Sequence, residues 1–286
     1  MSIENHKMIV SESIKIEQCN SNIQIINSIR NLIINKYEHL FFAVIVHGSV
    51  GTSEVIPYSD FDGLIIVKDI FVGSEELNDF KKESMKLILQ FDPLQHHGWF
   101  QIKESQLQNY PQFYLPFEVL YHSKLIFPVL PEIEIKFKFN VDEVDYKRSL
   151  KQLISSIENQ SNSKSMRLYE LKSFLSKVML LPTMYYSAKM HQGLFKKDSF
   201  LVVKEDFTEE EWSCIDSASL IRTNWNYKLN PFQNFIMKRP ERFFRKLTKK
   251  FISPKVSDDI KKELNTEFHK SLKLFIKKIN KDIFAN

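Results

Sequence analysis

Three of the chain's six glycines fall within residues 48–63, between two apolar, β-branched runs. A chain of 286 residues at the usual glycine share of about 7% would hold about twenty, so the positions of the few present are informative. The stretch reads Ala43-Val-Ile-Val-His-Gly48-Ser49-Val-Gly51-Thr-Ser-Glu-Val-Ile-Pro57-Tyr-Ser59-Asp60-Phe61-Asp62-Gly63-Leu-Ile-Ile-Val67. It predicts a buried strand over residues 41–47 that ends in Gly-Ser, a short connection, and a second strand over 62–68 that opens on Asp-Phe-Asp. Side chains alternate along a strand, so Asp60 and Asp62 point to one side and Phe61 to the other.

Two carboxylates aimed at one point repel each other unless protons or cations neutralise them. Hard divalent cations suit such a pair. Mg²⁺ takes one or two carboxylates together with phosphate oxygens and water, and two metals about 4 Å apart can hold the attacking and leaving oxygens of an in-line displacement at phosphorus. Gly48 lets the backbone approach a triphosphate closely, and the Ser49 hydroxyl with nearby N–H groups can donate to its oxygens. An isolated Asp-x-Asp is an ordinary strand-edge pair, and an isolated Gly-Ser an ordinary turn. Here Gly-Ser, a twelve-residue step from Gly48 to Asp60, Ser59-Asp60-x-Asp62 and an apolar strand on each side occur together, and that conjunction points to chemistry.

Elsewhere the hydrophobic periodicity divides the chain in two. Asn20 or Ser21 can cap a helix through Ile26, Ile29, Ile33 and Tyr37, and Ser74 with Glu75 and Glu76 starts another that runs to about Gln90, where Asp92-Pro93 ends it. Strands are expected over residues 96–102 and 118–127, with Pro111 and Pro116 in the loop between them. Residues 1–140 therefore read as an α+β unit, an α/β-type mixed sheet with flanking helices. From residue 141 to 286 the spacing is helical, with Leu150, Leu153 and Ile157 in one segment and Leu168, Leu171, Leu175 and Val178 in the next. Residues 159–165 form a serine-rich connector; Pro182 should kink or divide a long helix, and Gly193 should stop it.

Composition excludes several classes. The chain is 43% hydrophobic and 26% charged, as globular proteins are, and its longest purely apolar run, residues 40–46, is too short to cross a bilayer. No membrane partner is expected. Residues 1–19 lack the basic start and apolar core of a secretory signal, which predicts a cytoplasmic protein. Cys19 and Cys214 have neither metal-site nor disulfide spacing and read as structural thiols.

The Gly-Ser and Asp-x-Asp constellation resembles the nucleotidyltransferase superfamily typified by DNA polymerase β, and particularly its small bacterial, antibiotic-modifying members. The close match covers about 25 residues. The resemblance implies a nucleotidyltransferase domain over residues 1–140 followed by an all-α domain over 141–286. It implies NMP transfer from an NTP to an acceptor hydroxyl, small-molecule acceptors being favoured, with release of pyrophosphate. It further implies that Gly48, Ser49 and Ser59 bind nucleotide and that Asp60 and Asp62 are catalytic ligands of Mg²⁺ or Mn²⁺. A looser match extends to Leu181-Pro182, Gly193 and Lys196-Lys197, which look like the helical region bordering the acceptor pocket in those enzymes, where Tyr185 and Tyr186 would lie, although helix packing is the preferred account of the two tyrosines. Superfamily members that modify proteins or RNA, or that join nucleotides to one another, share the signature. So do members that bind nucleotide without chemistry.

One departure matters. The family places a third acid on the next strand, but His96-His97-Gly98-Trp99-Phe100-Gln101-Ile102 contains none. Asp92 is the first candidate for that role, with Glu104 and Glu118 behind it, and His97 is an alternative general base because a neutral imidazole can take a proton near neutral pH.

The formal net charge of +5 is unevenly spread. Residues 238–255, from Lys238 to Lys255, hold eight Lys or Arg and one Glu. Such a segment can face a polyanion, nucleic acid included. Phe243, Leu247 and Phe251 recur every four residues within it, which favours an amphipathic helix docked by that stripe, with the charges on a solvated face.

Overall fold

The computed structural model describes residues 9–141, 144–161, 166–225 and 227–285. Packing divides the chain into two compact units, Met1–Val144 and Asp145–Asn286. The first mixes α and β structure, and the second is helical.

In chain order the strands of the first unit are β1 (Ile9–Glu17), β2 (Phe41–His47), β3 (Asp62–Val67), β4 (Phe100–Lys103), β5 (Lys124–Phe127) and β6 (Glu132–Asn140). Its helices are α1 (Gln24–Leu32), the single turn α2 (Gly48–Gly51) and α3 (Glu75–Phe91). Four strands form a sheet in the order β4-β3-β2-β5. The pairs β2–β3 and β2–β5 are antiparallel, and β3–β4 is parallel. Strands β1 and β6 form a separate antiparallel ribbon.

Both faces of β2 and β3 are covered, which is why their sequences are continuous apolar runs rather than alternations. Val44, Val46, Ile65 and Val67 join the buried residues of α1 and α3 in one cluster. Ala43, Ile45, Leu64 and Ile66 join Ile14, Ile16, Ile135 and Phe137 of the ribbon in the other. Fully burying a Val, Leu or Ile contributes about 1.5–3 kcal/mol, so this two-faced core fixes the register that positions the strand ends.

The second unit contains α4 (Tyr146–Ser161), α5 (Leu168–Val178), α6 (Leu181–Met190), α7 (Lys196–Lys204), α8 (Glu209–Thr223), α9 (Pro231–Met237), α10 (Arg242–Leu247), α11 (Asp258–Glu263) and α12 (Thr266–Phe284). Stacked Phe207 and Phe275, with centroids 4.1 Å apart, anchor its aromatic core beside Trp212. The Ser271 hydroxyl of α12 accepts from the Cys214 N–H of α8 at 2.9 Å and donates to the Glu211 carbonyl at 3.1 Å.

Several elements differ from the sequence expectations. Helix α1 starts at Gln24, and Ser21 instead accepts from the Ile23 N–H just before it. The strand expected from His96 begins only at Phe100, because the Gln95 side chain holds residues 95–97 against the backbone of Phe61. Glu118 lies not in a strand but in a 3₁₀ turn, Phe117–His122, where the Gln112 side chain accepts from the Phe117 N–H; β5 begins after that turn. The ribbon strands β1 and β6 were not expected. Pro182 lies in the first turn of α6 where the expected long helix is divided into α5 and α6, and His191 in the left-handed conformation, not Gly193, ends α6. Residues 159–161 of the expected connector belong to α4, and 162–165 lie outside the described residues, as do residues 1–8. Phe243 and Phe251 are exposed, so the expected stripe does not dock; Thr248 and Ser253 are the fully buried residues of the segment.

No helix among the described residues is long and apolar enough to cross a membrane.

Candidate active site

The last residue of β2, His47, is the register partner of Asp62, the first residue of β3. Gly48 therefore follows β2 directly beside the Asp62 side chain. Its φ is +62°, and a Cβ built there would lie 2.8 Å from Asp62 Oδ2. Glycine is required twice over, by the left-handed backbone and by the space the carboxylate fills. Gly51 closes the same turn from behind, since a Cβ there would meet the carbonyl oxygens of Val46 and His122 at 2.9 and 3.0 Å. The Gly48 and Ser49 carbonyls accept from Thr52 and Glu54 N–H groups at 3.0 and 2.8 Å, which holds the turn over the strand ends.

The connection to β3 is conformationally costly. Ser53 and Tyr58 both have positive φ, 60° and 59°, a region that non-glycine residues rarely occupy. Ser59 is buried and turned inward, accepting from the Ile56 N–H at 3.0 Å. It orders the loop that delivers Asp60.

Phe61 between the two acids is buried in the core shared with α1 and α3, so Asp60 and Asp62 are left at the edge, both partly exposed. Gln95, itself fully buried, locks this arrangement. Its Oε1 accepts from the Phe61 N–H at 2.8 Å, and its Nε2 donates to the Phe61 carbonyl at 2.9 Å and to the His97 carbonyl at 3.0 Å. The same turn places His96 on Asp60, whose Oδ1 accepts from the His96 N–H at 3.2 Å and lies 3.7 Å from its Nδ1. Trp99 fills the space above Gly63, where any Cβ would run into the indole, and donates to Ser84 at 2.8 Å.

Three histidines surround this corner. His96 contacts Asp60, and His97 is exposed. His47 is buried, and its Nε2 has no hydrogen-bond partner. Burial, and then the nearby His97, push its pKa down from 6.5 to about 4, so it is neutral at physiological pH.

Asp92 is fully buried, and one of its carboxylate oxygens accepts from the Leu94 N–H at 2.9 Å, in the turn that leads to Gln95. Glu104 opens a 3₁₀ turn after β4. Among the described residues no group of three His, Cys, Asp or Glu side chains is arranged to hold a metal ion. The pair Asp60 and Asp62 still fits a divalent cation shared with phosphate, because both are hard oxygen donors, both are partly exposed, and the cradle beside Asp62 exists only because residue 48 lacks a Cβ.

Gln95 and His47 escaped the sequence reading. His47 reads as the end of an apolar strand, and a glutamine that bonds backbone thirty-four residues away leaves no periodic signal.

No family model matches the chain, and no curated protein sequence matches it. Among solved structures it is similar to the spectinomycin adenyltransferase AAD(9) from Enterococcus faecialis, determined with ATP and spectinomycin. The match covers 80% of this chain and 100% of that one, at 13% identity and a TM-score of 0.40.

Proposed function

We propose that the protein is a nucleotidyltransferase whose first unit carries the nucleotide site and whose acceptor is a small molecule. The observation that carries this reading is the corner where Gly48, at φ +62°, gives up its Cβ space to Asp62, with Phe61 clamped by Gln95 and Asp60 bonded to the His96 N–H. Asp60 and Asp62 would hold Mg²⁺ or Mn²⁺, which would supply charge neutralisation for the phosphates, and Gly48 and Ser49 would lie against the phosphates of an NTP. The acceptor oxygen forms a bond to the α-phosphorus as the bond from that phosphorus to the bridging oxygen of pyrophosphate breaks. The hydroxyl proton passes to a base, for which the His96–His97 pair and Asp92 are the candidates. The protein's part is mostly positioning: the buried Phe61 and the Gln95 clamp fix the carboxylates before substrate arrives.

A second reading, nucleotide binding without chemistry, is favoured by one observation: no third acid joins the pair in a metal-holding group among the described residues. One experiment separates the two. The protein is incubated with each of four labelled NTPs, Mg²⁺ or Mn²⁺ and a cell extract, beside Asp60→Asn. Label in an acceptor that disappears in the variant supports transfer. Retained NTP binding without labelled product supports the second reading, and absence of metal-dependent NTP binding refutes both.

A further inference from the structure

The basic segment of the second unit exposes aromatic rings that a merely solvated helix face would not carry. Phe232 and Phe235 of α9, Phe243 of α10 and Phe251 of the turn after it are between 56% and 65% exposed. Phe243 and Phe251 lie among the eight Lys and Arg residues between positions 238 and 255, and Phe232 and Phe235 just before them; one acid, Glu241, stands in that stretch, paired with Arg239 at 3.7 Å. The Arg239 guanidinium lies over the Phe235 ring at 4.5 Å and over Phe244 at 5.6 Å. The segment is fixed to α5: the Leu168 N–H donates to the Pro254 carbonyl at 2.9 Å, and Arg167 Nη1 to the Ser253 carbonyl at 2.7 Å. One exposed phenyl ring, Phe235, is thus capped by a cation, and the end of the segment is anchored to the start of α5.

Next to this surface the second unit contains a cavity of about 560 Å³. Arg167, Lys250, Lys255, Lys261 and His269 line it, with Glu170 as the acid. Glu170 accepts from the Arg167 backbone N–H at 3.0 Å, and Lys261 is paired with Asp258 at 2.7 Å. Lys250 belongs both to the turn that bears Phe251 and to the cavity wall, so the positive track runs from the aromatic surface into the cavity.

We propose that this surface binds a single-stranded polynucleotide, with bases stacked on the exposed phenylalanines and phosphates along the cations toward the cavity. Aromatic faces set in a basic groove bind single strands through stacking and charge together, with little sequence preference. The arrangement fits a lipid surface less well. Helices α9 and α10 are only seven and six residues long, and the rings alternate with cations, as in Arg242-Phe243 and Lys250-Phe251, rather than occupying a separate apolar face. A duplex hides its base faces and offers nothing for the rings to stack on.

This inference stands apart from the transfer reaction and is tested without it. Fluorescence anisotropy is measured on the full chain in EDTA, with labelled 12-mers of single-stranded RNA and DNA and with a duplex of the same length, across a salt series. Both single strands are expected to bind at least tenfold tighter than the duplex; a preference between them would identify RNA or DNA as the ligand. Phe243→Ala with Phe251→Ala should weaken single-strand binding about tenfold or more and leave the salt dependence unchanged. Lys246→Glu with Lys249→Glu should flatten that dependence. Heparin binding should fall in the charge variant and not in the aromatic one. Asp60→Asn should bind as the parent does, which separates this result from any outcome at the nucleotide site. Equal affinity for single strand and duplex, an aromatic variant that binds normally, preference for phosphatidylserine vesicles over oligonucleotides, or no binding would each overturn the proposal. Circular dichroism and a urea melt confirm that the variants, changed only at exposed positions, remain folded.

Discussion

Replacing Gly48 by alanine tests both reasons for a glycine at the corner between β2 and β3. The backbone there has φ +62°, and an L-residue in that region costs about 1–2 kcal/mol. The new Cβ would lie 2.8 Å from Asp62 Oδ2, where ordinary contact begins at 3.4 Å, so the carboxylate must move by about 0.6 Å. It sits at the end of a rotatable side chain, and turning it off its rotamer costs about 0.5–1.5 kcal/mol. The total is about 1.5–3.5 kcal/mol. In an Asp62→Ala background the second part should vanish, because the Asp62 Cβ is 3.6 Å from the new methyl and remains in comfortable contact. Urea denaturation of the parent, both single variants and the double variant, without metal, should give a coupling of about 0.5–1.5 kcal/mol between the two sites. Gly48→Ala should also abolish Mn²⁺-dependent NTP binding. A loss below about 0.5 kcal/mol, or the same loss in both backgrounds, would refute the account of this corner.

Other consequences are directly measurable. Because burial holds the His47 pKa at about 4 against an ordinary 6.5, the folded protein binds fewer protons than the unfolded chain between those values. Stability of the metal-free protein is therefore full above about pH 6.5 and falls by about 3 kcal/mol as the pH drops to about 4; His47→Leu should flatten that slope in urea melts, and an unchanged slope would assign it to other groups. Gln95→Leu strips partners from the buried N–H and carbonyl of Phe61 and should cost about 2–4 kcal/mol, with metal-dependent NTP affinity falling even where the protein is folded. Burial pushes the Cys214 thiol up to about 12, and Cys19 is buried as well, so a thiol reagent at pH 8 should label neither in the native protein and both after denaturation.

Much of the first unit was legible because its signals are local. The runs ending at His47 and beginning at Asp62 have no polar interruption, and Ser74 caps α3 with its own side chain, accepting from the Leu77 N–H at 3.1 Å. The misplaced elements depend on long-range partners. β4 starts late because Gln95 reaches Phe61, and the order of its neighbours, β4-β3-β2-β5, is set by side-chain packing far apart in sequence. The stripe of Phe243, Leu247 and Phe251 has helical spacing, yet periodicity does not say which face finds a partner. At the site, the acids and glycines could be read from their spacing, whereas the orphaned His47 nitrogen and the contact of His96 with Asp60 exist only once the strands pair.

The ribbon of β1 and β6 has a further meaning. Its register runs unbroken from Ile9 opposite Asn140 to Glu17 opposite Glu132, so the chain enters and leaves the sheet-bearing unit at one spot. A module whose two ends are stapled side by side can be cut out, rejoined or inserted into another protein without pulling its interior apart. The same staple gives the corner of Gly48 and Asp62 a frame of its own, because β1 and β6 pack their inner faces against β2 and β3. Modularity of this kind is a property of pairing, and it would survive extensive change in whatever is attached beyond Asn140.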